Sequence, residues 1–513
     1  MRRDIPRLAD TTFDLLIVGA GIYGACAAWD ASLRGLSVAV VDQSDFGAAT
    51  SANSLRIVHG GLRYLARGEL FRMRESIRER STLLRIAPGL VEPLSVLVPT
   101  YGAAGRGRLA HAAALAINDL VSLNRNRYLD RDRVIPRGRT VSRDECLRLF
   151  PWFETDGLSG GAIWHDAQLR HPERLTLSFV KAAAAGGAVA ANYLRVKRLL
   201  TDRGAARGAL AIDSLDGTEL EIRARAVLVA AGPSSRDLVA TGTGTSGVEP
   251  SGRAMGLNVV IGRRLAEVAF GVRSRSGPRE DPVCGGHRFL FCAPHGQGTL
   301  LGTWYAANAK DPQAVRARGV SALLGEFNDA CPGLKLSPGD VVRCQWGWLP
   351  LKGGNEPGRP DALAERPRIA DHGRQGVRHL LSVEGVKFTT ARLVAERAVD
   401  RVFASLDRRS PTCRTAVLRL PGAEDRVAPE PGAVPAKEAI VQAVREEMAV
   451  TLTDIVFRRT TLGDTPGPDR AAVEAVARMA GPELGWDRLR QEGEIEEVLR
   501  QTGAPGPALE AVG

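Results

Sequence analysis

A histidine, an arginine and a tyrosine share the short stretch "HGGLRYL" at residues 59–65, and a lysine stands in "GVKFTTAR" at residues 385–392. Side chains of these types supply a possible base and fixed cations. An unperturbed imidazole titrates near neutrality, which makes His59 a possible base. The cations Arg63 and Lys387 suit an anion. Taken alone, each has a plainer reading: a histidine bonded to backbone, a lysine at the surface. Chemistry requires them to meet, so the elements that carry them decide.

Upstream, Gly19, Gly21 and Gly24 form G-x-G-x-x-G between an apolar strand, Leu15 to Val18, and a helix from Ala25 to Leu33. The first glycine permits a tight turn, the second lets backbone approach a pyrophosphate, and the third lets helix pack on strand. The helix N-terminus offers free N–H groups to phosphate. A second strand, Val38 to Val41, ends at Asp42, where a carboxylate accepts a ribose hydroxyl. Two distant segments repeat the theme. "VLVAAGP" is a buried strand ending at Ala231 and Gly232, and "HLLSVEG" runs through Gly385 into a helix from about Thr390 to Val402. A ligand touched by three such segments is long, and FAD fits that better than a nicotinamide dinucleotide.

The 513 residues allow two or three domains and a sizeable core. With 44% hydrophobic and 25% charged residues, the composition is that of an ordinary soluble protein. A net charge of +11 favours anionic partners, and it also reads as a mark of GC-rich coding. Nucleic acid is a poor fit: the charge is dispersed, no binding motif occurs, and aromatics are 5%. The seven cysteines form no CxxC pair, which argues against a metal site or a disulfide framework and for a reducing compartment. No apolar run of membrane-spanning length occurs, and no apolar region follows the opening arginines as a signal peptide would require. The expected location is the cytoplasm, at or near the inner face of the membrane. That last point rests on "RGRLAHAAALAINDLVSLNRNR" (106–127), whose apolar centre between arginines fits a helix lying on anionic lipid or one packed on the enzyme.

The stretch from "DLLIVGAGIYG" through "TSANSLRIVHGGLRYL", with "LVAAGP", "LLGT", "GVKFTTAR" and "TLTDIVFRRTTLG" (451–463), resembles the FAD-dependent glycerol-3-phosphate dehydrogenase family, within the glycine/D-amino-acid oxidase-like flavoproteins. The resemblance implies an α/β fold: an FAD-binding Rossmann-like domain, a mostly antiparallel sheet capping the substrate, and a helical C-terminal domain. Residues 1–405 would hold cofactor and substrate, with FAD parts at about 1–100, 160–240 and 355–405 and the cap at about 241–354. Residues 406–436, with Pro411, Pro421, Pro429, Pro431 and Pro435, read as a linker, and 437–513 as the helical domain. It also implies hydride transfer from a carbinol carbon to flavin N5, with His59, Arg63 and Lys387 as the catalytic set. Thr50, Ser51, Ser54, Gly60, Gly61, Leu62, Phe388 and Thr389 would join the glycines, Asp42, Ala231, Gly232 and Lys387 around FAD. The electron acceptor would be quinone or oxygen. Asp454, Arg458 and Arg459 are expected to form ion pairs between domains.

Three departures fall on the substrate side, where Tyr64 is also expected. The family's "G-V-R-P-L" is matched by "WGWLPLK", with Leu349 in place of arginine. Its "G-T-T-D" reads "GTWY", bringing Trp304 and Tyr305, and its "G-S-H" reads "GLN", bringing Asn258. A leucine supplies neither the five donors nor the charge of a guanidinium, and Lys352 is a flexible substitute. Three readings stay open: oxidation of sn-glycerol 3-phosphate, oxidation of a bulkier or less charged alcohol or amine in a pocket lined by Trp304, Tyr305, Trp346 and Trp348, or a flavin-binding protein without catalysis.

Overall fold

The computed structural model describes residues 1–102, 106–244, 252–275, 283, 288–307, 311–352, 362–423, 432–464 and 467–502. Two large sheets and a group of C-terminal helices make up the described chain. The first sheet runs Arg368–Asp371, Leu380–Glu384, Glu219–Val229, Thr12–Val18, Val38–Val41, Val189–Ala191 from edge to edge. The inner pairings are parallel, with Leu15 opposite both Val38 and Ala226. Parallel neighbours need crossovers, and helices supply them. Ile22–Leu33, Pro172–Ala185 and Ala391–Ser405 pack on one face in a core that includes Ile17, Trp29, Phe179, Val399 and Phe403. On the other side Leu194–Asp202 and Ala205–Asp213 build an antiparallel ladder that leads into Glu219–Val229.

The second sheet runs Val341–Pro350, Arg253–Ile261, Gly298–Ala307, Phe289–His295, Ala269–Arg273, Val91–Tyr101, Leu158–Leu169, Ile57–Val58. All its pairings are antiparallel except that of Ala269–Arg273 with Val91–Tyr101. The helix Pro312–Ala330 covers one face around Trp304, Phe270 and Phe327.

At the C-terminus Lys437–Glu447, Arg470–Leu484 and Arg488–Thr502 close a small core of their own around Ile440, Val456, Val476 and Val498. The proline-rich stretch read as a linker is not free where it is described. Leu420 and Ala423 are fully buried against the first core, and Leu420 N–H donates to the Ile86 carbonyl at 2.8 Å. Pro429, Pro431 and the tail from residue 503 lie outside the described residues.

Candidate active site

A cavity of about 570 Å³ opens where the first sheet meets the second. At one end Gly19 and Gly21 turn the chain from strand to helix. Gly19 has φ +99°, and a Cβ there would stand 2.6 Å from the Ala230 carbonyl oxygen. No other residue type fits that turn. Gly24 lies buried beneath it, in the helix. Asp42 follows at the end of its strand, its carboxylate accepting N–H from Ala20 (2.7 Å) and Ser44 (3.0 Å). Burial pushes its acid up to about 6, against the pull of those two amides. Two hydrogen bonds leave lone pairs to spare for a ribose hydroxyl. Thr50, Ser51 and Ser54 line the same cavity from the loop that follows, Ala231 and Gly232 from the opposite strand end.

At the far end Gly385, Lys387 and Phe388 form the wall. Tyr23, a residue that the glycine motif carries as an x, fixes this turn. Its hydroxyl donates to the Lys387 carbonyl at 2.6 Å and accepts the amides of Val386 and Lys387, both at 3.2 Å. A Cβ on Gly385 would stand 2.0 Å from the Tyr23 ring. The first glycine-rich turn therefore grips the last one across the cofactor cavity.

Lys387 Nζ lies 4.4 Å from the centroid of Tyr64, and Arg63 and Arg72 face the same ring at 5.4 and 4.5 Å. His59 meets Tyr64 edge-on at 6.1 Å. The three residues expected to act together are thus gathered around one buried tyrosine. Burial, and then the charge of Arg63, push the His59 imidazole down to about 3, with Asp166 opposing. His59 is therefore neutral, and its buried Nδ1 has no hydrogen-bond partner. Burial and Arg63 also bring Lys387 down to about 8. Among the described residues no carboxylate pairs with Arg63, which is exposed, or with Lys387. Glu365, the acid that Arg63 feels, is held by Arg67 at 2.7 Å.

The "HGG" segment is positioned from behind. Gly60 N–H donates to Asp166 Oδ1 at 2.5 Å, Arg80 reaches the same oxygen at 2.8 Å, and Trp164 Nε1 donates to Oδ2 at 2.9 Å. The ladder explains the meeting, since Ile57 and Val58 pair with Gln168 and Ala167. Gly60, Gly61, Leu62, His59, Arg63, Tyr64 and Thr389 stand outside the immediate cavity wall. A Cβ on Gly60 would lie 2.4 Å from Arg80 Nη1, so a larger residue there would push Arg80 away from Asp166.

The substrate-side expectations divide. Leu349 and Tyr305 line the cavity around Gly256, with Thr303 beside them. Asn258 also reaches the wall, but it accepts from Thr303 Oγ1 at 2.7 Å and donates to the Asn53 carbonyl at 3.1 Å, so it is committed to the fold. Trp304 does not belong to the pocket. It is 1% exposed and packs into the second core against Gly319. Neighbours along a strand face opposite ways, so Trp304 and Tyr305 could not both face the substrate. Trp346 likewise packs on the second core, beneath Arg316 at 5.4 Å. Of the four aromatics proposed to line a wider pocket, only Tyr305 and Trp348 reach the cavity. Lys352 is exposed and away from it.

Sequence reasoning missed Tyr23, Asp166, Arg80 and Thr303. Tyr23 could have been found inside its motif; Asp166 carries no local signal.

The model of the FAD dependent oxidoreductase family matches residues 14–401, and that of the C-terminal domain of alpha-glycerophosphate oxidase matches 416–491. The chain is 29% identical to a glycerol-3-phosphate dehydrogenase of Synechocystis sp. over 573 aligned positions, covering 99% of this chain and 100% of that one. The mitochondrial glycerol-3-phosphate dehydrogenase of Homo sapiens is 26% identical, covering 95% of this chain and 73% of the relative. Among solved structures, glycerol-3-phosphate dehydrogenase from Bacillus halodurans complexed with FAD superposes with a TM-score of 0.71 at 24% identity, covering 97% of this chain and 96% of that one.

Proposed function

Because the chain belongs to the family of FAD-dependent oxidoreductases, we propose that it oxidises the secondary alcohol of sn-glycerol 3-phosphate to the ketone of dihydroxyacetone phosphate. Bound FAD would supply the acceptor for the hydride that leaves the carbinol carbon. The glycine turns, Asp42 and the loop of Thr50 to Ser54 would hold it. The relatives named glycerol-3-phosphate dehydrogenase support the substrate.

One observation of this chain carries the reading: Arg63 and Lys387 share a site in which no acid among the described residues neutralises them. Each makes the other costly, and a phosphate would relieve both. The charge that Leu349 fails to provide would come instead from Lys387 in the cavity wall and from Arg63 beside the same Tyr64 ring. His59, neutral and with Nδ1 uncommitted, takes the hydroxyl proton. Replacing Arg63 or Lys387 with methionine tests this. Losing one charge-assisted contact of about 1.5–3 kcal/mol should cut kcat/KM for glycerol 3-phosphate by roughly 10–100-fold. Turnover of unphosphorylated glycerol should change little. Equal losses with both substrates would refute a phosphate-binding role.

A second observation bears on the electron acceptor. On the helix Arg106–Val121, Leu115 is buried, while Leu109 and Leu120 are 71% and 67% exposed and Ile117 also faces solvent, as does Leu123 just past the helix end. Val121, at its end, packs with Leu62 and Leu65 against Tyr64. We infer that this apolar stripe rests on an anionic membrane surface, with a quinone as acceptor. The exposed Arg108 and Arg127 suit such a surface.

A further inference from the structure

The C-terminal helices hold the loop that walls the cofactor cavity through the carboxylate of Asp45. Residues 42–44, 47–51 and 53–55 line the cavity, while Asp45 turns the other way and is 1% exposed. Arg459 binds it with two parallel bonds, Nη1 to Oδ2 at 2.7 Å and Nη2 to Oδ1 at 2.8 Å. Arg458 Nε adds a third at 2.6 Å, and Asn192 Nδ2 a fourth at 3.0 Å. Both arginines stand in the π-helical turn Ile455–Arg459. Arg458 is held in turn by Asp454, which is fully buried and accepts from the amides of Val450 and Thr451 and from the Tyr193 hydroxyl. Asp45 itself is three residues beyond Asp42, and Gly47 N–H donates to the Ala20 carbonyl in the first glycine turn at 3.1 Å.

An isolated ion-pair group could serve only to dock one part of the molecule on another. A second group crosses the same junction and shows the difference. The Glu447 carboxylate meets Arg174 at 2.5 Å and Lys181 at 2.6 Å, both on the helix Pro172–Ala185, while its backbone carbonyl accepts from Arg459 Nη2 at 2.8 Å; none of Glu447, Arg174 and Lys181 lines the cavity. Asp45, by contrast, lies within the loop whose flanking residues, Ser44 and Gly47, line the cavity.

We propose that Arg458 and Arg459 are positioning residues for the cofactor: acting through Asp45, they hold the 42–55 wall in the shape that receives FAD, so that the C-terminal helices retain the flavin as well as dock. A planar guanidinium with two bonds fixes orientation as well as charge, and a lysine cannot replace both.

The test is FAD affinity, measured by titrating the full-length apoprotein and following flavin fluorescence, beside the melting temperature of the apoprotein. Arg459→Met should raise the FAD dissociation constant by about tenfold or more, and Arg459→Lys by less. Asp45→Asn combined with Arg459→Met leaves no carboxylate without a partner. It gives the same readout, a raised dissociation constant, if the single variant fails to fold. Arg174→Met should lower the melting temperature while leaving FAD affinity within about twofold of wild type. The proposal is overturned if FAD affinity is unchanged when Arg459 is lost, or if Arg174→Met weakens it equally. Wild-type protein that takes up no FAD would refute the cofactor assignment instead, a result distinct from either.

Discussion

At the scale of the residue, the site works by withholding counter-charges. His59 is kept neutral because its surroundings are buried and already positive. A neutral imidazole can accept a proton; a protonated one cannot. His59→Asn should therefore lower kcat for flavin reduction by roughly 10²–10⁴-fold, with the yellow colour retained. A variant that loses colour along with rate would instead mark His59 as structural. The depressed value has a cost in stability. In the unfolded chain the ring would bind a proton near 6.5, and in the fold it does not, so this group withdraws stability as pH falls through 6.5 toward about 3. Lys387 titrates at about 8 and carries its charge below that value. Affinity for a phosphate should hold on the acid side and weaken as pH rises above 8. Lys387→Arg should keep KM level to well above that point, since a guanidinium does not titrate there. A wild-type KM that is flat from pH 7 to 10 would remove Lys387 from the anion site.

At the scale of the element, turns and ladders decide what the residues can do. Gly385 sits where the Tyr23 ring passes, and overfilling that contact should cost about 1–3 kcal/mol. Gly385→Ala is expected to lower the melting temperature and weaken FAD binding, and adding Tyr23→Ala should restore part of the first loss. Strict additivity of the two changes would mean they do not communicate. The same scale explains what was legible in the sequence. The strand–turn–helix at Gly19 to Gly24 announces itself because glycines, apolar runs and Asp42 all fall within thirty residues. Matching letters points Trp304 into the pocket, whereas strand alternation turns it into the core and leaves Thr303 and Tyr305 on the cavity side. Asp166 could not be read at all, because its bond to Gly60 depends on a pairing of strands more than a hundred positions apart.

At the scale of the whole molecule, three parts divide the work: a parallel sheet that cradles a dinucleotide, an antiparallel sheet that brings Leu349 and Tyr305 to it, and C-terminal helices locked onto the cradle's loop. None of the helices in the described residues is long and apolar enough to cross a membrane. In the proposed reading, the stripe on Arg106–Val121 would lie along one. Replacing Leu109 and Leu120 with glutamate should abolish sedimentation with vesicles of anionic phospholipid and slow reduction of a quinone held in them, without altering flavin reduction by substrate. Wild-type protein that ignores such vesicles at low salt would set the membrane reading aside. The central claim, oxidation of glycerol 3-phosphate, is tested most directly without any acceptor. The holoprotein is mixed anaerobically with glycerol 3-phosphate, and flavin absorbance is followed. Complete bleaching with release of dihydroxyacetone phosphate is the expected result. Flavin that stays oxidised under glycerol 3-phosphate, yet is reduced by dithionite, would contradict it.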